Sequence, residues 1–175
     1  MAHVTLIIGP MFSGKSTYLL SFETRYLLAK KRILMVKHAF DASRYSATNI
    51  ATHEGALSKK KCLNLTKCSD ISLDDVDVVL IDEGQFFDDL GDWLKTVTNR
   101  KGLYVVIAGL SGDYMQKIFQ PIAEALSQAD KIIHLQSICS LCGNDAPFTI
   151  RLSDETSQTL VGSSDVYQPR CRQCK

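Results

Sequence analysis

Runs of apolar, mostly β-branched residues recur along the chain at 4–8, 33–36, 76–81, 103–108 and 132–135, each too short for a helix and too continuously apolar for a strand with one wet face. Such runs predict strands buried on both sides. Stretches of helical periodicity separate them. Residues 17–29 offer Leu19, Leu20, Tyr26, Leu27 and Leu28 as core contacts, and 88–99 bring Leu90, Trp93, Leu94 and Val97 to one face. Residues 121–128 read as a short helix with Pro121 in its first turn, where a missing N–H is tolerated. The alternation predicts an α/β fold, a parallel sheet flanked by helices with ligand at the carboxyl ends of the strands. Between 37 and 75 the pattern dissolves into Ser, Thr, Asn and Lys, which predicts a mobile loop with short strands, and Lys59-Lys60-Lys61 reads as a solvated face. After Gln136 the composition turns to Cys, Ser, Gly and Gln, so a domain over 1–136 and a small second unit over 137–175 are expected.

The first apolar run leads into Gly9-Pro10-Met11-Phe12-Ser13-Gly14-Lys15-Ser16, which fits Gly-x4-Gly-Lys-Ser/Thr. Between a strand and a helix, such a loop presents backbone N–H groups and a helix N-terminus to an anion. Lys15 then reaches the outer phosphates, and the Ser16 hydroxyl is a ligand for Mg²⁺. An ordinary glycine turn is the alternative, disfavoured by the elements on either side.

The third run ends in Asp82-Glu83. The carboxyl end of a buried strand is where metal and phosphate chemistry sits in this architecture. Asp82 suits a ligand of the Mg²⁺ that Ser16 binds, and Glu83 is placed to take a proton from an attacking hydroxyl or water. Two acids capping the next helix would be the plainer reading, but the phosphate loop upstream weighs against it. The pairing limits the chemistry to nucleoside triphosphates without choosing between hydrolysis and transfer to a second molecule.

Cys139-Ser-Leu-Cys142 and Cys171-Arg-Gln-Cys174 form two matched C-x2-C pairs. Each knuckle can aim two thiolates at one ion, and together they complete a tetrahedral Zn²⁺ shell with no open position, hence a structural metal. Two disulfides or unrelated free thiols are the competing accounts. Between the pairs, 148–152 and 159–162 read as strands of a small ribbon, while Cys62 and Cys68 read as packed or surface thiols.

At 175 residues, 45% apolar and 22% charged, the chain has globular composition, and its formal charge of +1 does not point to nucleic acid or a membrane surface. No run approaches a membrane span and no secretory leader is legible, so a cytoplasmic location with reduced cysteines is expected. His3, His38, His53 and His134 show no paired ligand spacing.

With these features in place, the chain resembles the type II thymidine kinases, a cytosolic and viral family with a P-loop domain and a zinc-bound lid. The resemblance runs from Leu6 to Cys174. It rests on the phosphate loop through Thr17, on Asp41 to Tyr45, on Asp82-Glu83-Gly84-Gln85-Phe86-Phe87, on the cysteine pairs, and on Asp165-Val166-Tyr167-Gln168. Most P-loop proteins share only the first of these.

The resemblance implies ATP-dependent phosphorylation of the thymidine 5′-hydroxyl, with deoxyuridine as a second substrate. Gly9 to Thr17, Asp82 and Gln85 would hold ATP. Glu83 matches the general base and Asp82 the carboxylate beside Mg²⁺. Arg44 matches an arginine near the transferring phosphoryl group, acting with Lys15. Met11, Leu110, Tyr114 and Phe119 match the walls of the base pocket, Tyr114 standing where the family more often has Phe. Tyr167 matches the aromatic that closes the pocket, and Val161, Gly162, Ser163, Ser164 and Asp165 would supply backbone contacts from a lasso-like loop. The resemblance also implies a homotetramer and feedback inhibition by thymidine triphosphate (dTTP), with no nucleic-acid or membrane partner. A zinc-containing P-loop ATPase acting on nucleic acid would share the loop and cysteines, but it calls for a basic stripe and stacking aromatics. A protein that merely holds nucleotide would have no use for Glu83 beside Asp82.

Overall fold

Alternate residues of the apolar runs turn to opposite faces of one sheet, and helices cover both except along the run at 132–135. That run departs from the expected burial: it lies on an edge strand, with Ile132 47% exposed. The computed structural model describes residues 1–41, 48–52, 55–160, 162 and 164–175, so Arg44, Val161 and Ser163 lie outside the described residues. Six strands, β1 (His3–Gly9), β2 (Ile33–His38), β3 (Cys62–Leu65), β4 (Val78–Asp82), β5 (Tyr104–Leu110) and β6 (Lys131–His134), lie in the order β3-β2-β4-β5-β1-β6. Every pairing is parallel. Val4, Leu6, Ile8, Val79, Ile81, Val105 and Ile107 share one core with α2 (Leu90–Val97) and α3 (Gln120–Leu126). Ile7, Met35, Leu80, Val106 and Ala108 pack on the other side with Leu19 of α1 (Lys15–Leu28). The connection leaving β1 runs over one face through α1, while those leaving β4 and β5 run over the other through α2 and α3, so a crevice opens at the strand ends beside β1.

All four predicted face residues of α2 are buried, and α3 carries its proline in the first turn. Helix α1 differs from expectation at one end: Leu28 is 81% exposed, while Tyr26 in the same turn still packs against the core. The polar Glu23 is buried instead. Its carboxylate accepts the backbone N–H groups of Lys59 at 3.0 Å and Lys60 at 2.7 Å, giving two loop donors a partner that no strand supplies. The three lysine side chains at 59–61 are exposed, as predicted.

The stretch around that clamp doubles back on itself. Cys62 N–H donates to Thr48 O at 2.8 Å, Ser58 N–H to Ile50 O at 2.9 Å, and Ala51 bridges Leu57. Strand β3, one of the short strands expected within 37–75, follows and pairs with β2.

The C-terminal stretch forms two small antiparallel pairs, β7 (Ser137–Ile138) with β8 (Asp145–Ala146) and β9 (Phe148–Arg151) with β10 (Tyr167–Arg170). The ribbon strand expected at 159–162 is not there among the described residues. β9 pairs with 167–170 instead, and Pro169 is tolerated because β10 has a strand on one side only. Two polar contacts seat this stretch on the phosphate loop: Met11 N–H donates to Thr149 Oγ1 at 2.9 Å, and Ser137 Oγ to Phe12 O at 3.0 Å.

Candidate active site

The turn from β1 into α1 is shaped for a close anion. A Cβ on Gly9 would come within 2.6 Å of both Leu135 O and Ser13 Oγ, so only glycine fits there. Phe12 (φ 62°) and Gly14 (φ 78°) take left-handed backbone, which curls the loop. Ser13 Oγ and Lys15 Nζ donate to Pro10 O at 2.9 and 2.7 Å. Helix α1 has neither a side-chain cap nor an acidic residue in its first turn. Its leading N–H groups and positive dipole end are therefore left for a ligand's negative charge.

At the end of β4, Asp82 meets this loop, with Ser16 Oγ donating to Asp82 Oδ1 at 3.3 Å. The same carboxylate oxygen accepts Glu83 N–H at 3.1 Å, helping to hold Glu83 in left-handed backbone at φ 55°. That conformation costs a non-glycine residue about 1–2 kcal/mol and turns the Glu83 side chain away from its strand course. Gln85, almost fully buried, then fixes the carboxylate. Its amide oxygen accepts Leu110 N–H at 3.1 Å, which sends the amide nitrogen to donate to Glu83 Oε2. Burial lowers the Lys15 pKa below the ordinary lysine value, while the charges of Glu83 and Asp82 pull it back up.

One cavity contains both predicted halves of the site. Ser13 to Thr17, Asp82, Glu83 and Gln85 line it together with Met11, Leu110, Tyr114, Phe119 and Tyr167. Gly162, Ser164 and Asp165 are described but do not line it. Ala51, Thr52, Phe86, Asp113, Thr149, Gln158, Thr159 and Leu160 line it without having been foreseen. They reach it through contacts between distant parts of the chain, such as Gln158 Nε2 donating to Asp113 Oδ2 at 3.1 Å. In β9 Thr149 and Arg151 are buried while Phe148 and Ile150 are only half-buried. A strand that turns its polar face inward has something polar to do there.

Cys139, Cys142, Cys171 and Cys174 converge, their sulfurs all within 4.8 Å of one another, with Cys142 Sγ and Cys171 Sγ 3.6 Å apart. Four thiolates at about 2.3 Å from a tetrahedral Zn²⁺ stand about 3.8 Å from each other, so the cluster fits that ion. None of the four is in a disulfide. Backbone N–H groups, that of Cys171 first, hold the Cys139 thiol down to about 6, and hydrogen bonding with Cys142 and Cys171 pushes Cys174 up to about 12. Cys68 is fully buried, and burial raises its pKa, which makes it an inert packed thiol.

A parallel sheet with a phosphate cradle after its first strand and paired carboxylates after β4 defines a P-loop nucleotide-binding protein. The family model for thymidine kinase matches residues 2–175. A thymidine kinase of Oryza sativa subsp. japonica is 38% identical over 178 residues, which cover 97% of this chain and 65% of that protein. Thymidine kinases of vaccinia virus (strain Western Reserve) and variola virus are 37% and 36% identical over 174 residues, 98% of this chain and 96% of theirs. The chain thus spans just under two thirds of the rice protein and nearly all of the viral ones. It belongs to the thymidine kinase family.

Proposed function

We propose that the protein transfers the γ-phosphoryl group of ATP to the 5′-hydroxyl of thymidine, giving thymidine monophosphate and ADP. The observation that carries this reading is the shared cavity, in which a phosphate cradle, two carboxylates and an apolar, aromatic-walled space open onto one another. The cradle from Gly9 to Thr17 holds the triphosphate, and the walls formed by Met11, Leu110, Tyr114, Phe119 and Tyr167 hold the base. Backbone groups of 161–165 read the edge of the base. Glu83, oriented by Gln85, takes the proton of the 5′-hydroxyl as that oxygen bonds to phosphorus and the bond to the ADP oxygen breaks. Lys15 and Arg44 balance the charge on the moving group. Ser16 and Asp82 would hold Mg²⁺, which supplies charge neutralisation on the phosphate oxygens. Zn²⁺ in the four-cysteine cluster is structural.

Residues 1–136 act as the nucleotide-binding domain and 137–175 as the zinc-tied unit that closes over the nucleoside. Deoxyuridine serves as a second substrate, since one methyl group discriminates by only about 1–3 kcal/mol. dTTP acts as an inhibitor by filling both halves of the cavity. A cytoplasmic homotetramer is the working assembly. No helix among the described residues is long and apolar enough to cross a membrane.

The test incubates the purified protein with ATP, Mg²⁺ and labelled thymidine. Labelled monophosphate and ADP should form in equal amounts, and added DNA should not accelerate the reaction. ADP release that ignores thymidine would remove the proposal.

A further inference from the structure

Arg151 is 7% exposed, yet its guanidinium is not spent on a carboxylate. One terminal nitrogen donates to Glu155 O at 2.8 Å and to Ser157 O. The other donates to Gln158 O at 3.2 Å and to the Tyr167 hydroxyl at 2.7 Å. The Tyr167 hydroxyl donates in turn to Leu160 O at 3.0 Å. The guanidinium carbon stands 3.9 Å from the centre of the Tyr114 ring, stacking distance for a cation on an aromatic face. A single planar fork thus gathers three carbonyls of one loop.

That loop has little else to hold it. From 153 to 160 there is neither strand nor helix, and its other described hydrogen bonds are the short-range Ser157 contacts with Glu155 and Thr159 and two ties to the floor of the cavity. In those ties Tyr114 Oη donates to Thr156 O at 3.0 Å and Gln158 Nε2 to Asp113 Oδ2. Gln158, Thr159 and Leu160 then form part of the cavity lining, beside Tyr114 and Tyr167. Lysine cannot replace the fork, because its point charge serves one or two acceptors and not a planar array. The inward polar face of β9 follows from this placement.

Resting on the thymidine kinase reading, we infer that Arg151 is a positioning residue for nucleoside binding: it folds 155–160 into a roof over the cavity and thereby sets the affinity for the nucleoside without touching ATP. Arg151→Lys and Arg151→Met are compared with the wild type by steady-state kinetics, zinc content and hydrogen–deuterium exchange. Both variants should keep their zinc, raise KM for thymidine by about tenfold or more, and leave KM for ATP within about twofold. Amides of 155–160 should exchange faster while those of β1 and β5 do not change. Unchanged KM for thymidine in a folded variant overturns the inference, as does a parallel rise in both KM values with a fall in kcat. If neither variant folds, Arg151 is a determinant of the fold and the positioning role is wrong. Should the wild type fail to phosphorylate thymidine, the functional reading falls, and exchange at 155–160 still decides whether Arg151 organises the roof.

Discussion

Two regions meet at the cavity, and different forces hold each in shape. The sheet region has two apolar layers whose strand residues are almost all below a few per cent exposure, and its register is set by parallel ladders. In the cysteine region the buried apolar cluster among the described residues is Cys139, Ala146 and Cys171, with Cys174 packed against it. Neighbouring loops are organised by polar side chains, Arg151 above all. A layered core resists local loosening because every side chain has neighbours on several sides. A cluster of thiols with a few polar staples is only as ordered as its metal and its hydrogen bonds allow. The phosphate half of the site therefore sits on rigid ground, and the nucleoside half on a segment tied by chemistry.

The sharpest way to break this comparison is to remove a metal ligand. Cys171→Ser should abolish the bound zinc, about one ion per chain, and with it nucleoside phosphorylation, since structural zinc is worth an apparent 10–16 kcal/mol or so in small metal-tied units. ATP binding and the far-ultraviolet signature of the sheet should survive. If ATP binding disappears together with the zinc, the two regions are not separately held.

Next in size is the chemical step. Glu83→Gln keeps the shape and removes the base, so turnover should fall by roughly 10²–10⁴. ATP affinity should stay within about twofold. Near-normal turnover would take Glu83 out of the proton-transfer role.

The same division explains what could be read from sequence. Apolar runs and contiguous motifs carried the sheet, the phosphate loop and Asp82-Glu83, because each depends on neighbours a few residues away. β3 was legible only as an unplaced short strand within 37–75, because it is a four-residue edge strand, Cys-Leu-Asn-Leu, buried at one end only. The ribbon partner was misplaced because Thr159-Leu160 imitates a strand while Pro169 argues against the true one. Arg151, Asp113, Thr149 and Gln158 left no local pattern: the Met11–Thr149 contact spans 138 positions and the Asp113–Gln158 contact 45. Side chains that work across such separations are found only once the fold brings them together.

The sheet region also has polar ties resembling those of the other half, among them the Glu23 clamp, which offers a finer comparison. Glu23→Gln would leave one of the Lys59 and Lys60 N–H groups facing an amide donor, a loss of about 1–3 kcal/mol. The midpoint of denaturant unfolding should fall accordingly with zinc content unchanged. An unaltered midpoint would mean that the stretch holding Ala51 and Thr52 at the cavity is fixed by its own backbone bonds.

The smallest expected effect is a fraction of a proton at Lys15. Burial lowers its pKa in the free protein, against the pull of Glu83 and Asp82. The charged form is therefore disfavoured by folding: this group weakens the protein at pH values below its folded pKa, and the penalty fades as pH rises toward the unfolded lysine value. A triphosphate in the cradle adds negative charge beside the ammonium and restores the proton. ATP binding should then take up protons at pH values between the lowered pKa and the restored one, and progressively fewer as pH falls below the lowered pKa. Calorimetry in buffers of differing ionisation enthalpy, at about pH 7 and about pH 9, measures that uptake. Lys15→Arg, which stays charged throughout, should lose the pH-dependent part. Equal uptake by wild type and variant at the higher pH would mean that Lys15 keeps its proton in the free site, and that its two carboxylate neighbours outweigh its burial.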